Sequence, residues 1–325
     1  MRRRELLGLV AGAITWPLAA RAQQTKLPIV GMLGGGFAVS STILIDAFKK
    51  GMVENDLEEG RDYVLDLRWA EGDYARFPAL AAELVRGHSS VILVSTIAAA
   101  RAAQRAAPTA AIIMTGLIDP VGTGLVTSLA RPGGNTTGLA NLAQDVTGKG
   151  LELLHTAVPG ARKIATLFNP TNPANLLIME QLPAQAGLLD LTIDPIEFKG
   201  PVALDATIKA AMSGRPDALL VVGDAALVDL REQIASLALR YKLPMVSSIP
   251  ELTDAGGLIG YGTPRRDFYR RAATYVKKVL GGAKPADLPV EQPTLIELSI
   301  NVRTARALGI AIPESVLSRA DRVID

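Results

Sequence analysis

The sequence predicts an α/β protein: two doubly wound parallel-sheet lobes with a ligand cleft between them. Three observations lead there. Short apolar runs bounded by Gly, Ser, Asn or Asp alternate with stretches of helical spacing along most of the chain. The runs at 91–94, 110–114 and 218–222 are apolar without polar alternation, as strands covered on both faces are. The rhythm restarts near residue 140, and a further part follows Gly257. Ligands of such sheets bind beyond the strands' C-terminal ends, so two facing edges make a cleft, in an enzyme or a binder alike.

The first unit sets the pattern. Residues 29–33 read as a strand and Gly34-Gly35-Gly36 as a turn. Ser40, Ser41 and Thr42 are N-cap types before a helical stripe at Ile43/Leu44, Ala47/Phe48 and Met52. A strand feeding a helix through a turn aims backbone N–H groups at one point, a place for an anion or carboxylate. Residues 63–69 alternate as a strand, and 78–85 form a helix opened by Phe77-Pro78. Strand 90–94 ends in Ser95-Thr96, before alanine-rich helix 97–107. Strand 110–114, a helix near 124–130 and strand 136–141 complete the first half.

The second half reads helix 148–157, strand 163–168, helix 174–186, strand 190–195, helix 202–212 and strand 218–222. Pro183 should kink or shorten its helix, since it lacks an N–H and its ring crowds the preceding turn. Helix 227–241, strands 244–247 and 257–261, and a long helix 267–280 with basic residues on its exposed face follow. Strand 295–301 and helices 302–308 and 313–318 end the chain.

Composition narrows the function. The 325 residues suffice for two ordinary domains, and a 49% apolar, 20% charged make-up is globular. The absence of cysteine excludes disulfides, Cys-ligated zinc, a thiol nucleophile and a lipoprotein anchor on this chain. His88 and His155, the two histidines, leave little for a metal site and read as surface residues.

Residues 1–22 read as an export signal. They carry Arg2-Arg3-Arg4, an apolar stretch from 6 to 18, and Ala20-Arg21-Ala22 as a small-x-small cleavage pattern. Arg-Arg-x-Leu-Leu also suits the twin-arginine route. The apolar stretch is shorter than the roughly 20 residues needed to span a bilayer. These residues hold four arginines and Glu5, so their removal takes 34 basic and 32 acidic residues to 30 and 31, a net charge of −1. A near-neutral exported protein gives no electrostatic case for nucleic acid.

Several separated stretches then match one family. They include Gly31-x-Leu33-Gly34, Arg68-Trp69-Ala70-Glu71-Gly72, Asp119-Pro120-Val121-Gly122, and Ala130-Arg131-Pro132-Gly133-Gly134-Asn135-x-Thr137-Gly138. Asn169-Pro170-x-Asn172-Pro173, Tyr269-Arg270-Arg271-Ala272-Ala273 and Lys284-Pro285-Ala286-Asp287-Leu288-Pro289 continue the series. In that order they resemble the periplasmic substrate-binding proteins of ABC transporters, in the family that includes tryptophan- and tyrosine-binding members. The resemblance implies a type I periplasmic-binding-protein fold with three crossings between lobes. Lobe one would be 27–139 plus 260–291, and lobe two 140–259 plus 292–325. It also implies hinge closure on a small-molecule solute, no cofactor, a periplasmic monomer, and an ABC permease as partner.

Strand ends supply the candidate ligand contacts. Ser95 and Thr96 offer hydroxyls for a carboxylate, or merely cap the helix. The resemblance carries Thr96 over, whereas Ile97 departs from the family's usual proline. Asp119 accepts from a ligand amine or caps the turn before Pro120. Phe37 stacks on a planar ligand or packs its loop. In lobe two, Asn169, Asp224 and Ser247 stand at strand ends, Asp224 as partner of a cationic amine or as a helix cap. Departures from the family at Phe37, Ile97, Ile118, Gly223, Ser247 and Ser248 point to a different ligand contact. An α/β enzyme is the rival, but no full Gly-x-Gly-x-x-Gly, nucleophile elbow, Walker loop or metal triad is present. A ligand-sensing partner of a membrane receptor would share the fold.

Overall fold

The computed structural model describes residues 26–325, so the expected signal at 1–22 lies outside the described residues. The first sheet holds β1 (Ile29–Gly34), β2 (Val64–Trp69), β3 (Ser89–Val94), β4 (Ala111–Ile118) and β5 (Thr136–Asn141), all parallel in the order β2-β1-β3-β4-β5. Helices α1 (Thr42–Glu54), α2 (Phe77–Arg86) and α3 (Ile97–Ala106) connect them. Alternate strand residues feed two cores. Ile92 and Val94 join Phe77, Leu80 and Leu84 on one face. Val91 and Leu93 join Leu44, Phe48 and Met52 on the other.

The second half contributes α4 (Ala143–Ala157), β6 (Lys163–Phe168), α5 (Pro173–Gly187), β7 (Thr192–Glu197), α6 (Leu204–Ala211) and β8 (Ala218–Val221). Then come α7 (Ala225–Asp229), α8 (Arg231–Arg240), β9 (Met245–Ser247), α9 (Glu251–Asp254), β10 (Ile259–Gly262) and α10 (Arg265–Leu280). The chain ends with β11 (Glu297–Asn301), α11 (Val302–Leu308), α12 (Glu314–Leu317) and β12 (Arg322–Ile324). The seven strands run in the order β12-β11-β10-β9-β8-β6-β7. This sheet is not wholly parallel, because β11 pairs antiparallel with β10. The chain returns to it from the other half, so no crossover helix forces the parallel direction.

The chain passes between the two sheets three times. It leaves the first sheet after β5, and returns towards it after β10, when α10 packs on α1 and β4. It leaves again between Glu291, bridged to Leu139, and β11. Residue 260, expected as a lobe boundary, falls inside β10 of the second sheet.

Four local expectations are corrected. No helix forms near 124–130; Gly124 has φ +70°, and the segment folds as turns with Leu125 and Val126 buried. The helix expected over 227–241 is two helices, starts earlier at Ala225 and breaks at Leu230. Pro183 does not shorten α5, which runs on through it to Gly187 with the proline itself exposed. Strand β12 was not expected at all; three residues are too few for a period-2 signal.

Candidate functional site

A cavity lies where the C-terminal ends of β3 and β4 face those of β8 and β9. Its volume is about 80 Å³. Lobe one contributes Ser95 and Thr96 after β3 and the 115–118 stretch of β4. The second sheet's half contributes Asn172, Asp224 and Ser248, and the start of α10 adds Arg265 and Phe268.

Among the described residues Asp224 is the only carboxylate on the cavity wall, and it is 3% exposed. Its Oδ1 accepts from the Ala226 N–H at 2.9 Å, which caps α7, and from Asn169 Nδ2 at 3.3 Å. Its Oδ2 accepts from Asn172 Nδ2 at 2.8 Å and from the Tyr74 hydroxyl at 2.9 Å. Tyr74 comes from the other half of the molecule. Burial first, then the charge of Asp224, pushes the Tyr74 hydroxyl well above its ordinary pKa, so it stays a donor.

The glycine turn after β1 does aim backbone N–H groups at an anion, but the anion belongs to the protein. The Phe37 N–H donates to Asp229 Oδ2 at 2.6 Å, and Asp229 ends α7 across the cleft. A Cβ on Gly36 would collide with that same carboxylate oxygen, so glycine there permits the contact. Burial raises the Asp229 pKa, against the opposing effects of Arg265, the Phe37 N–H and the Ser40 hydroxyl. The expected cap hydroxyls are used otherwise: Ser41 donates to the Phe37 carbonyl at 2.7 Å, and α1 starts without a side-chain cap.

Of the seven residues singled out in the sequence, Ser95, Thr96 and Asp224 line the cavity and four do not. Thr96 also caps α3, accepting from the Ala99 N–H at 3.1 Å, and Ser95 accepts from the Gly35 N–H at 3.2 Å. Phe37 lies half-buried beside Gly72 and meets Asp229 through its backbone. Asp119, at φ +40°, holds its own turn by accepting from the Gly122 N–H at 2.8 Å. Asn169 braces Asp224 from behind and accepts from the Thr171 N–H and hydroxyl. Ser247 ties β9 to β8, donating to the Val221 carbonyl at 3.0 Å and accepting from the Ile249 N–H at 3.1 Å.

Sequence reasoning missed Arg265 and Tyr74 here, and gave Ser248 only as a departure from the family. Ser248 is 7% exposed, and among the described residues nothing lies within hydrogen-bond distance of its hydroxyl. A buried hydroxyl without a partner is costly unless something else supplies one. Arg265 lines the cavity, and among the described residues no carboxylate comes within 4.0 Å of its guanidinium. Asp229 and Glu251 feel its charge from farther off. Tyr74 falls between the strand expected at 63–69 and the helix expected at 78–85. A strand-end signal existed for Arg265, which follows Tyr261-Gly262-Thr263-Pro264 directly. No group of three or more His, Cys, Asp or Glu among the described residues could hold a metal. None of their helices is long and apolar enough to cross a membrane.

Two α/β lobes with a cavity between their facing strand ends give the type I periplasmic-binding-protein fold. The chain belongs to the ABC transporter substrate binding protein family, whose model matches residues 40–324. It is 28% identical over 274 residues to a tyrosine-binding protein of Clostridioides difficile (strain R20291), covering 82% of this chain and 77% of that one. An ABC domain from Streptococcus pneumonia in complex with L-Trp superposes with a TM-score of 0.82 at 26% identity, over 92% of this chain and all of that one. A conserved domain protein from Vibrio cholerae gives 0.85 at 25% identity, with the same coverage. This family binds substrates rather than transforming them.

Proposed function

We propose that the chain captures a small carboxylate-bearing solute, an amino acid or aromatic acid, between its lobes and delivers it to an ABC permease. The observation that carries this reading is Arg265, a cation on the cavity wall with no carboxylate within 4.0 Å among the described residues. A ligand carboxylate meets that guanidinium in a charge-assisted, bidentate geometry. Ser248 donates to it from lobe two, and Ser95 or Thr96 from lobe one. The tyrosine and tryptophan named for two relatives support a ligand of this size and class. We place the lobes as 27–139 plus 260–291 and 140–259 plus 292–325, with one change: β10 moves the second crossing to after Gly262. The protein acts as a non-enzymatic monomer in the periplasm, reached through the 1–22 signal.

A thermal-shift screen against amino acids, aromatic acids and other small carboxylates tests this. A ligand at 100 times its Kd stabilises by about 2.7 kcal/mol, several degrees for a chain of this size. A shift from at least one carboxylate is expected. No shift from any of them at millimolar concentration overturns the reading.

A further inference from the structure

The carboxylate reading leaves open whether the solute also carries an α-ammonium group. An ammonium brings three hydrogen-bond donors and a positive charge, and a buried one needs acceptors. Among the described residues Asp224 is the one carboxylate on the wall. A carboxylate has about four lone-pair sites. Four protein donors already take them: the Ala226 N–H, Asn169 Nδ2, Asn172 Nδ2 and the Tyr74 hydroxyl. Asn169 and Asn172 are themselves held, since their Oδ1 atoms accept from the Thr171 and Ala174 N–H groups. The Asp224 network is therefore closed on every side. Among the described residues, what the wall leaves without a partner includes no anion: the Arg265 guanidinium only donates, and the Ser248 hydroxyl and the Asn141 side-chain amide are neutral groups that donate or accept.

Resting on the proposed carboxylate capture, we infer that the site selects a carboxylic acid without an α-amino group over the matching amino acid. Asp224 is a specificity-determining residue by being saturated. Closure sets the selection, because the Tyr74 hydroxyl reaches Asp224 from the opposite half of the molecule. To pair with Asp224 an ammonium would have to displace that hydroxyl, and a buried tyrosine hydroxyl without a partner loses a hydrogen bond in turn; the neutral acceptors of the wall leave its charge beside Arg265 uncompensated.

Isothermal titration of the full chain with matched pairs tests the inference. The pairs are 3-phenylpropanoate and L-phenylalanine, 3-(4-hydroxyphenyl)propanoate and L-tyrosine, 3-(indol-3-yl)propanoate and L-tryptophan, and 4-methylpentanoate and L-leucine. In every pair that binds, the amine-free acid is expected to bind about tenfold or more tightly than the amino acid, the cost of an unpaired charged donor. Equal or tighter binding of the amino acids overturns the inference while carboxylate capture stands. Binding by no member of any pair removes carboxylate capture, and the inference with it. Tyr74→Phe gives a second readout. It keeps the ring packed on Phe77, 5.0 Å away between centroids, and frees one lone pair of Asp224. The acid-to-amino-acid preference should then shrink severalfold whatever happens to overall affinity. An unchanged ratio overturns the role given to Asp224.

Discussion

Ser247 and Ser248 are adjacent, both buried, and opposite in use. The Ser247 hydroxyl satisfies the Val221 carbonyl and the Ile249 N–H. Ser247→Ala strands both, and should cost about 1–3 kcal/mol in a denaturation titration. The Ser248 hydroxyl serves no group among the described residues. Ser248→Ala removes a buried hydroxyl that has no partner, so it should leave the melting temperature of the ligand-free protein no lower than that of wild type and weaken ligand binding in calorimetry. At this scale the sequence was a partial guide. Strand-end position pointed to Ser95, Thr96 and Asp224. It could not separate Ser247 from Ser248, since which of two neighbours faces the cavity depends on where β9 ends. Arg265 was hidden for another reason: it falls between the strand expected at 257–261 and the helix expected from 267, whereas α10 begins at Arg265 itself. Nor could spacing reveal that Asp224 is saturated, because Tyr74 lies 150 residues away in the chain.

Elements were more legible than residues. Strands buried on both faces announce themselves as unbroken apolar runs, as β3 and β8 do, and β1, β5 and β6 also fall within one or two residues of expectation. Elements fixed by tertiary contact did not announce themselves. The break between α7 and α8 turns Asp229 toward the glycine turn, and β12 exists by pairing with β11. The contact of α1 with α10 is of this kind. A Cβ on Gly51 would collide with the Arg270 carbonyl and stand 2.9 Å from Ala273 Cβ. Alanine gains about 1 kcal/mol in helix propensity over glycine. Overpacking against a backbone that cannot rotate away costs about 1–3 kcal/mol or more. Gly51→Ala should therefore lower the urea midpoint, and a raised midpoint would show that the two helices can separate freely.

Across the whole molecule, the hydrogen bonds from Tyr74 to Asp224 and from the Phe37 N–H to Asp229 help fasten one half to the other, beside the apolar packing of α3 on α5. The second carries a pH signature. Burial raises the Asp229 pKa above its ordinary value, so the closed protein holds that proton more tightly than the opened or unfolded chain. Stability from this group is therefore greatest at low pH and falls as pH rises through the raised value. Asp229→Asn keeps an acceptor for the Phe37 N–H without a charge. Relative to wild type, its melting temperature should improve as pH rises from about 4 towards neutrality. A difference independent of pH would show that Asp229 is not buried on closure.

Carboxylate capture stands or falls at Arg265. The most direct measurement is calorimetric titration of the tightest-binding carboxylate into wild-type protein and Arg265→Gln, with folding of both checked by thermal melting. An anchoring guanidinium requires a loss of about tenfold or more in affinity at unchanged melting temperature. Equal affinity in the two proteins would contradict it and move the carboxylate site elsewhere in the cleft.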